Sequence, residues 1–313
     1  MYRAVHFNQR KVFWSAVFLL SFYFTPSYGF PLEVCPSLVD YLEQEEHYGV
    51  LDNSWVARKS ADNGEWDLFD LSDFCVIKRL GEGMQGFSLL VSSRNGENGP
   101  FSQYTLKVFK NRLLPWPYDE LNVHKALKGF SGLTQIYYIY ALPNDRGNPF
   151  MTLEAANNIT LEEFIQGVEN DQIKLDPESL VKIAIDLLEL ITEMHLLGVS
   201  HNDLRNSNIM FDHHGALKFI DYNMAETDSA NKQGVFKAFG DVYAMRYHIS
   251  NLVSVAKIPE KYQHYILNQT QWMDRYKVFL SEDSYDIYIT WDHHMDRMKR
   301  CINSLKARYR IWF

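Results

Sequence analysis

Apolar residues recur along this chain in two periods. Short runs predict strands: Phe74-Cys75-Val76-Ile77, Phe87-Ser88-Leu89-Leu90-Val91, Tyr104-Thr105-Leu106-Lys107-Val108-Phe109, and the aromatic stretches around 136–142 and 150–153. Glycine, asparagine and proline separate them at 81–86, 94–100 and 143–149. From residue 176 the period lengthens. Asp176-Pro177 offers an N-cap and a proline at the first helical position. Leu180, Ile183, Ala184, Leu187, Leu188, Ile191 and Met194 follow at helical spacing, and Gly198 is the stop. Residues 211–219 read as a short hairpin with His213 and His214 at a solvated tip, and 246–313 read as helical and aromatic. Upstream, residues 37–48 have helical spacing. Residues 52–73 are rich in Asp, Asn and Trp and read as irregular, with Trp55 and Trp66 anchoring them to the strands.

Strands followed by helices predict an α+β, bilobal domain over residues 73–313. Its small β-rich lobe with one helix spans 73–153, and its larger helical lobe spans 154–313. Residues 30–72 form an extension before it. With 313 residues the chain is long enough for two lobes with a substantial core.

The first 29 residues have their own pattern. Arg3, Arg10 and Lys11 precede an uncharged, aromatic-rich run from Val12 to Phe24, then Pro26 and the small residues Ser27 and Gly29. This is the charge, apolar and cleavage order of a secretory signal peptide over 1–29. The run falls short of the roughly twenty residues of a membrane span, and no later segment is apolar enough, so no stable span is expected after cleavage. An uncleaved signal anchor is the alternative. The expected location is secreted or within the secretory pathway. Three cysteines, Cys35, Cys75 and Cys301, leave an odd thiol in such a compartment. Cys35 and Cys75 either tie the extension to the first strand of the domain or stay as buried thiols. Asn158 and Asn268 head N-glycosylation sequons. The formal charge of −8, about −11 without residues 1–29, and the lack of a long basic run exclude nucleic acid as the main partner.

The chemistry-bearing residues lie on the loops these elements frame. Leu80-Gly81-Glu82-Gly83-Met84-Gln85-Gly86 is a G-x-G-x-x-G segment between two predicted strands. A dinucleotide-binding version opens a helix instead, so these glycines read as a hairpin whose backbone lies close to phosphates. Lys107 sits in the third strand and Glu120 in the following helical stretch. After the long helix comes His201-Asn202-Asp203-Leu204-Arg205-Asn206-Ser207-Asn208, and Phe219-Ile220-Asp221-Tyr222-Asn223 ends the next hairpin.

In this order the segments resemble the protein-kinase-like superfamily: glycine loop, strand lysine, helix glutamate, H-R-D-x-x-x-x-N and D-F-G. The resemblance covers roughly residues 73–245. It implies an ATP-dependent kinase with Mg2+, transferring the γ-phosphoryl group to a hydroxyl, expected on protein Ser/Thr. Asp203 would be the catalytic base, with Lys107 and Asn208 as its catalytic partners. Asn208 and Asp221 would hold Mg2+. Gly81, Gly83, Gly86, Lys107, Glu120, Glu154, Ala156 and Met210 would hold ATP, with Leu153 as gatekeeper and Glu154-Ala155-Ala156 as hinge. Asp241, in Gly240-Asp241-Val242-Tyr243, resembles the residue that braces the catalytic loop.

Several positions depart from the family pattern. Asn202 replaces the Arg that reads an activation-segment phosphate. Tyr222-Asn223 replaces Phe-Gly, with Asn expected to supply the positive φ of the missing glycine; Tyr after the metal Asp is also a feature of haspin-like kinases. Ser88 and Thr105 stand where Val and Ala face adenine, and His124 where a buried Leu is usual. Residues 221–241 contain no proline and so lack A-P-E. These departures keep two alternatives open: a small-molecule acceptor, and a pseudokinase scaffold without turnover.

Overall fold

The computed structural model describes residues 35–44, 54–83, 86–93, 103–109, 116–141, 150–155, 159–212, 214–227, 232–275 and 291–312. Among them, seven strands form one antiparallel sheet. These are β1 (Trp55–Ser60), β2 (Trp66–Asp70), β3 (Phe74–Glu82), β4 (Gly86–Ser93), β5 (Gln103–Phe109), β6 (Ile136–Ala141) and β7 (Phe150–Glu154), in the order β2-β1-β6-β7-β5-β4-β3. Alternation along β4 and β5 buries Phe87, Leu89 and Val91 with Tyr104, Leu106 and Val108 on one face. The other face carries Phe109, Ile139, Met151 and Leu153, which meet Leu121 of helix α2 (Trp116–Ala126).

The extension corrects the reading of residues 52–73. They are not irregular: β1 and β2 form a hairpin, and β1 pairs with β6, widening the sheet. Ser60 N–H donates to Glu65 O at 2.9 Å, and Gly64, with φ of 74°, closes the turn after Asn63. An Asn-Gly pair between two runs is a hairpin signal, obscured here by the surrounding charges. Trp55 and Trp66 are half exposed, with Lys59 Nζ 5.6 Å from the Trp66 ring centroid, and Val56 and Phe69 are the residues that pack on the core. Short helix α1 (Leu38–Glu43), capped by Ser37, buries Leu38 and Leu42 under the same sheet. Cys35 and Cys75 are disulfide-bonded with a Cα separation of 5.7 Å, and Cys301 is buried and free.

Below the sheet lies the helical lobe. Helix α3 (Leu161–Glu169) opens on a capping box in which Thr160 and Glu163 satisfy each other's backbone N–H groups. Helix α4 (Pro177–Leu196) starts at its Asp176 cap, carries the expected apolar stripe through the core, and ends before Gly198 at φ 76°. The chain then runs through β8 (Val199–Ser200), the loop 201–208, and the hairpin of β9 (Ile209–Phe211) and β10 (Leu217–Phe219). Strand β11 (Glu226–Thr227) pairs back onto β8. Helices α5 (Lys232–Val255), α6 (Glu260–Thr270) and α7 (Trp291–Trp312) complete the lobe. Met298 and Leu305 of α7 are fully buried, and its Tyr309 hydroxyl donates to Glu178 of α4 at 2.8 Å. The basic last helix therefore packs on the lobe. Asn268 is exposed on α6, and Asn158 lies outside the described residues. Among the described residues no helix is long and apolar enough to cross a membrane.

Candidate active site

The site is built where β3–β5 and α2 face the loops after β8 and β10. Lys107 projects from β5, and its Nζ lies 2.9 Å from Glu120 Oε2 and 2.7 Å from Asp221 Oδ1. One ammonium thus joins sheet, helix and the strand end of the lower lobe. Burial pulls Lys107 toward neutrality, but the Glu120 and Asp221 charges outweigh it and hold the ammonium above its ordinary value. Burial pushes Asp221 up, and Lys107 more than offsets this, leaving it below the usual carboxylate range. Glu120 is fully buried: burial raises it, Lys107 counters, and the Asp221 charge adds to the rise.

The loop holding Asp203 is fixed through its backbone. Asp241 of α5 accepts from His201 N and Asn202 N, both at 2.8 Å. Asp203 N–H donates to His201 Nδ1 at 3.4 Å, while His201 Nε2–H donates to Ile220 O at 3.0 Å. These two bonds define a neutral imidazole, and burial holds His201 below its ordinary value. Asn208 Nδ2 donates to Asp203 O at 2.8 Å and to its Oδ2 at 3.0 Å, and His248 Nε2–H donates to Leu204 O at 2.8 Å. The Asp203 carboxylate also accepts from Arg205 at 2.9 Å.

Asp221 is placed by the strand before it. Phe219 N–H donates to Gly132 O at 2.8 Å, Ile220 N–H to Asn208 O at 3.0 Å, and Thr134 to Phe219 O at 3.1 Å. Asp221 then takes the left-handed conformation, φ 64° and ψ 66°. This corrects the expectation for Asn223. The positive φ belongs to Asp221; Asn223 lies in a single 3-10 turn and donates its side-chain N–H to Asp221 Oδ1. Tyr222 is buried with its ring 5.1 Å from His124 and 4.9 Å from His201. His124 is buried with neither ring nitrogen hydrogen-bonded; burial and the Lys107 charge push it down to about 3.

The glycine hairpin joins β3 to β4, with Gly83 N–H donating to Gly86 O at 2.8 Å. A Cβ on Gly86 would overlap the Val108 carbonyl oxygen at 2.0 Å, so close strand approach demands that glycine. At Gly81 and Gly83 a Cβ would meet no protein atom within 4 Å. Internal packing does not require those two glycines, which leaves their surface open to a phosphate-bearing ligand. Met84 and Gln85 lie outside the described residues, as does Ala156 of the expected hinge. Leu153 and Met210 are buried, and Glu154 N–H donates to Gln135 O at 2.7 Å. Ser88 and Thr105 are half-buried on β4 and β5. The donors left by these bonds are oxygens: the Asn208 amide carbonyl, the second Asp221 oxygen and the Asp203 carboxylate. That set suits Mg2+, a hard ion that keeps waters and phosphate ligands.

A family profile for the protein kinase domain matches residues 74–257, more than half of the 313-residue chain. The chain belongs to the protein kinase domain family. The chain is similar to MAP kinase kinase kinase win1 of Schizosaccharomyces pombe, 29% identical over 102 residues, 32% of this chain and 7% of that one. It is similar to a cell division protein kinase of Encephalitozoon cuniculi, 27% identical over 151 residues, 47% of this chain and 45% of that one. It is also similar to the serine/threonine-protein kinase PknD of Protochlamydia amoebophila, 24% identical over 209 residues, 63% of this chain and 21% of that one. The chain spans less than half the length of each of these relatives.

The bonds of three side chains escaped the sequence reading. Asn202 holds φ 65° and donates through its side chain to Met224 O at 2.8 Å, tying the loop that carries Asp203 to the segment after Asp221. Asn is the residue that tolerates that conformation best after glycine, which was a usable signal. Arg205 carried one too, as a cation two positions beyond Asp203. His248 carried none, because its contact with Leu204 spans 44 residues.

Proposed function

We propose that this protein is an ATP-dependent kinase acting on Ser or Thr hydroxyls of proteins. The observation that carries the reading is Lys107 bonded at once to Glu120 and Asp221. It sets a buried cation beside an anionic metal-type ligand and an open glycine hairpin, the arrangement that phosphoryl transfer requires. Asp203 orients the acceptor hydroxyl and takes its proton as its oxygen bonds to the γ-phosphorus and the bond to the β,γ-bridging oxygen breaks, with ADP as the leaving group. The bonds from Asn208 and Arg205 keep its carboxylate turned into the site. Lys107 and the backbone N–H groups near Gly81 and Gly83 hold the nucleotide phosphates, and Glu154 marks the strand end that would meet adenine. Asn208 and Asp221 would hold Mg2+, which supplies charge neutralisation at the phosphates when bound. The resemblance to relatives named as protein kinases supports a protein rather than a small-molecule acceptor. Asp203→Asn is expected to lower transfer about 10²–10⁴-fold with an unchanged melting temperature. Wild-type rates in that variant would remove the assignment.

We also propose that residues 1–29 direct the kinase into a secretory compartment. The Cys35–Cys75 disulfide supports this, since such bonds persist in oxidising surroundings. N-terminal sequencing of the protein recovered from cells decides it. A chain beginning at Met1 with reduced Cys35 and Cys75 would contradict it.

A further inference from the structure

Beneath the catalytic loop, Asp241 Oδ2 accepts from a second group besides the His201 backbone: His195 Nε2, at 3.1 Å. With that nitrogen donating, the opposite nitrogen of the ring, Nδ1, faces away from Asp241. It meets His294 Nε2 at 3.5 Å. His294 belongs to α7, beyond the matched segment 74–257. Its ring lies between His195 and the edge of Phe239, at centroid distances of 5.7 and 5.4 Å. All three polar side chains are buried, at 0% exposure for both histidines and 1% for Asp241.

We propose that His294 is a positioning residue for phosphoryl transfer: bonded to His195, it keeps that imidazole on Asp241, and Asp241 on the loop that carries Asp203. The inference rests on the kinase reading above. A buried imidazole that loses one of its hydrogen bonds is held less firmly in its orientation. A His195 that turned would leave Asp241 Oδ2 with the His201 N–H alone. Asp241 holds the loop through the backbone N–H groups of His201 and Asn202, beside the separate bond from His248 to Leu204 O, so slack at Asp241 transmits toward Asp203. The position of His294 is itself fixed. Met298 and Leu305, one and three turns further along α7, are fully buried, and Lys306 and Tyr309 pair with Glu189 and Glu178 of α4. The arrangement has the form of a ligand's supporting shell, in which an outer residue sets the tautomer and orientation of an inner histidine.

The test uses the full chain and two variants. His294→Phe keeps ring volume and the Phe239 contact but removes the nitrogen. His294→Gln keeps a donor. In His294→Phe, amide exchange at His201 and Asn202 is expected to accelerate about tenfold while Leu188 and Ile191 of α4 keep their protection. The transfer rate should fall about tenfold with KM for ATP within about twofold, and His294→Gln should restore most of both. Uniform loss of protection across α4, or unchanged exchange at His201 and Asn202, would overturn the proposal. Exchange needs no turnover: selective loss in a protein that never transfers phosphate would sink the kinase reading and leave the positioning intact. Should His294→Phe not fold, nitrogen NMR of wild-type imidazoles decides. One proton between His195 Nδ1 and His294 Nε2 supports the bond, and two bare nitrogens there overturn it.

Discussion

Removing the Lys107 ammonium leaves the carboxylates of Glu120 and Asp221 without the cation between them. Deleting one partner of a buried ion cluster costs about 3–5 kcal/mol. Lys107→Met is therefore expected to lower the melting temperature as well as abolish transfer, and calorimetry beside an ATP assay checks both. His124 makes a separate claim. Its pKa is about 3 in the folded protein against the ordinary 6.5, so the folded state refuses a proton that the unfolded chain accepts. The corresponding stability is complete above pH 6.5 and is lost as pH falls toward 3. By pH 5 the loss amounts to about 2 kcal/mol. Denaturant titrations at pH 7 and pH 5 should show wild type losing that much more than His124→Leu. Equal losses in the two proteins would mean that His124 does not carry the pH dependence.

Among the elements, the β1–β2 hairpin and α1 are joined to the sheet by β1–β6 pairing and by the Cys35–Cys75 bond. That bond closes a loop with a sequence separation of 40, for which chain entropy gives about 4 kcal/mol of stabilisation. Cys35→Ser should therefore melt well below wild type, and reduction should bring wild type to the same value. Buried Cys301, its thiol pushed up to about 11 by burial, should stay unalkylated in the folded protein. The elements also show where sequence reading succeeds. The α4 stripe, its Asp176 cap and its Gly198 stop were legible because one helix face and two caps answer to local rules. That Lys107, Glu120 and Asp221 meet, and that Asn208 meets Asp203, was legible from the order and spacing of the motifs. The hairpin of β1 and β2 was not, because its register depends on β6, some 80 residues away in sequence. Nor was the left-handed Asp221, whose conformation is set by the bonds holding the strand before it. The His195–His294 contact, 99 residues apart, leaves no trace in local pattern.

Among the described residues, the lobes are coupled by Lys107 to Asp221, by Tyr222 against His124, by the bonds of Gly132 and Thr134 to Phe219, and by Val123, Leu127 and Phe130 packed into the helical core. Helix α7 adds a support that reaches the catalytic loop from below. Activity in this account depends on that assembly and not on phosphorylation of residues 221–241. Asn202, where the family has Arg, is committed to Met224 O and Asp241. Replacing Thr227 and Ser229 together by Ala should leave the transfer rate nearly unchanged. A loss of tenfold or more, about 1.4 kcal/mol of transition-state stabilisation, restored by rephosphorylation, would show a switch in the segment. The central claim is transfer itself. The most direct measurement incubates the purified full chain with γ-labelled ATP, Mg2+ and a generic protein acceptor, followed by phosphoamino-acid analysis, with Asp203→Asn in parallel. The account predicts label on serine or threonine, dependent on Mg2+ and absent from the equally stable Asp203→Asn protein. A wild-type protein that binds ATP and transfers nothing, or that labels only small molecules, would contradict it.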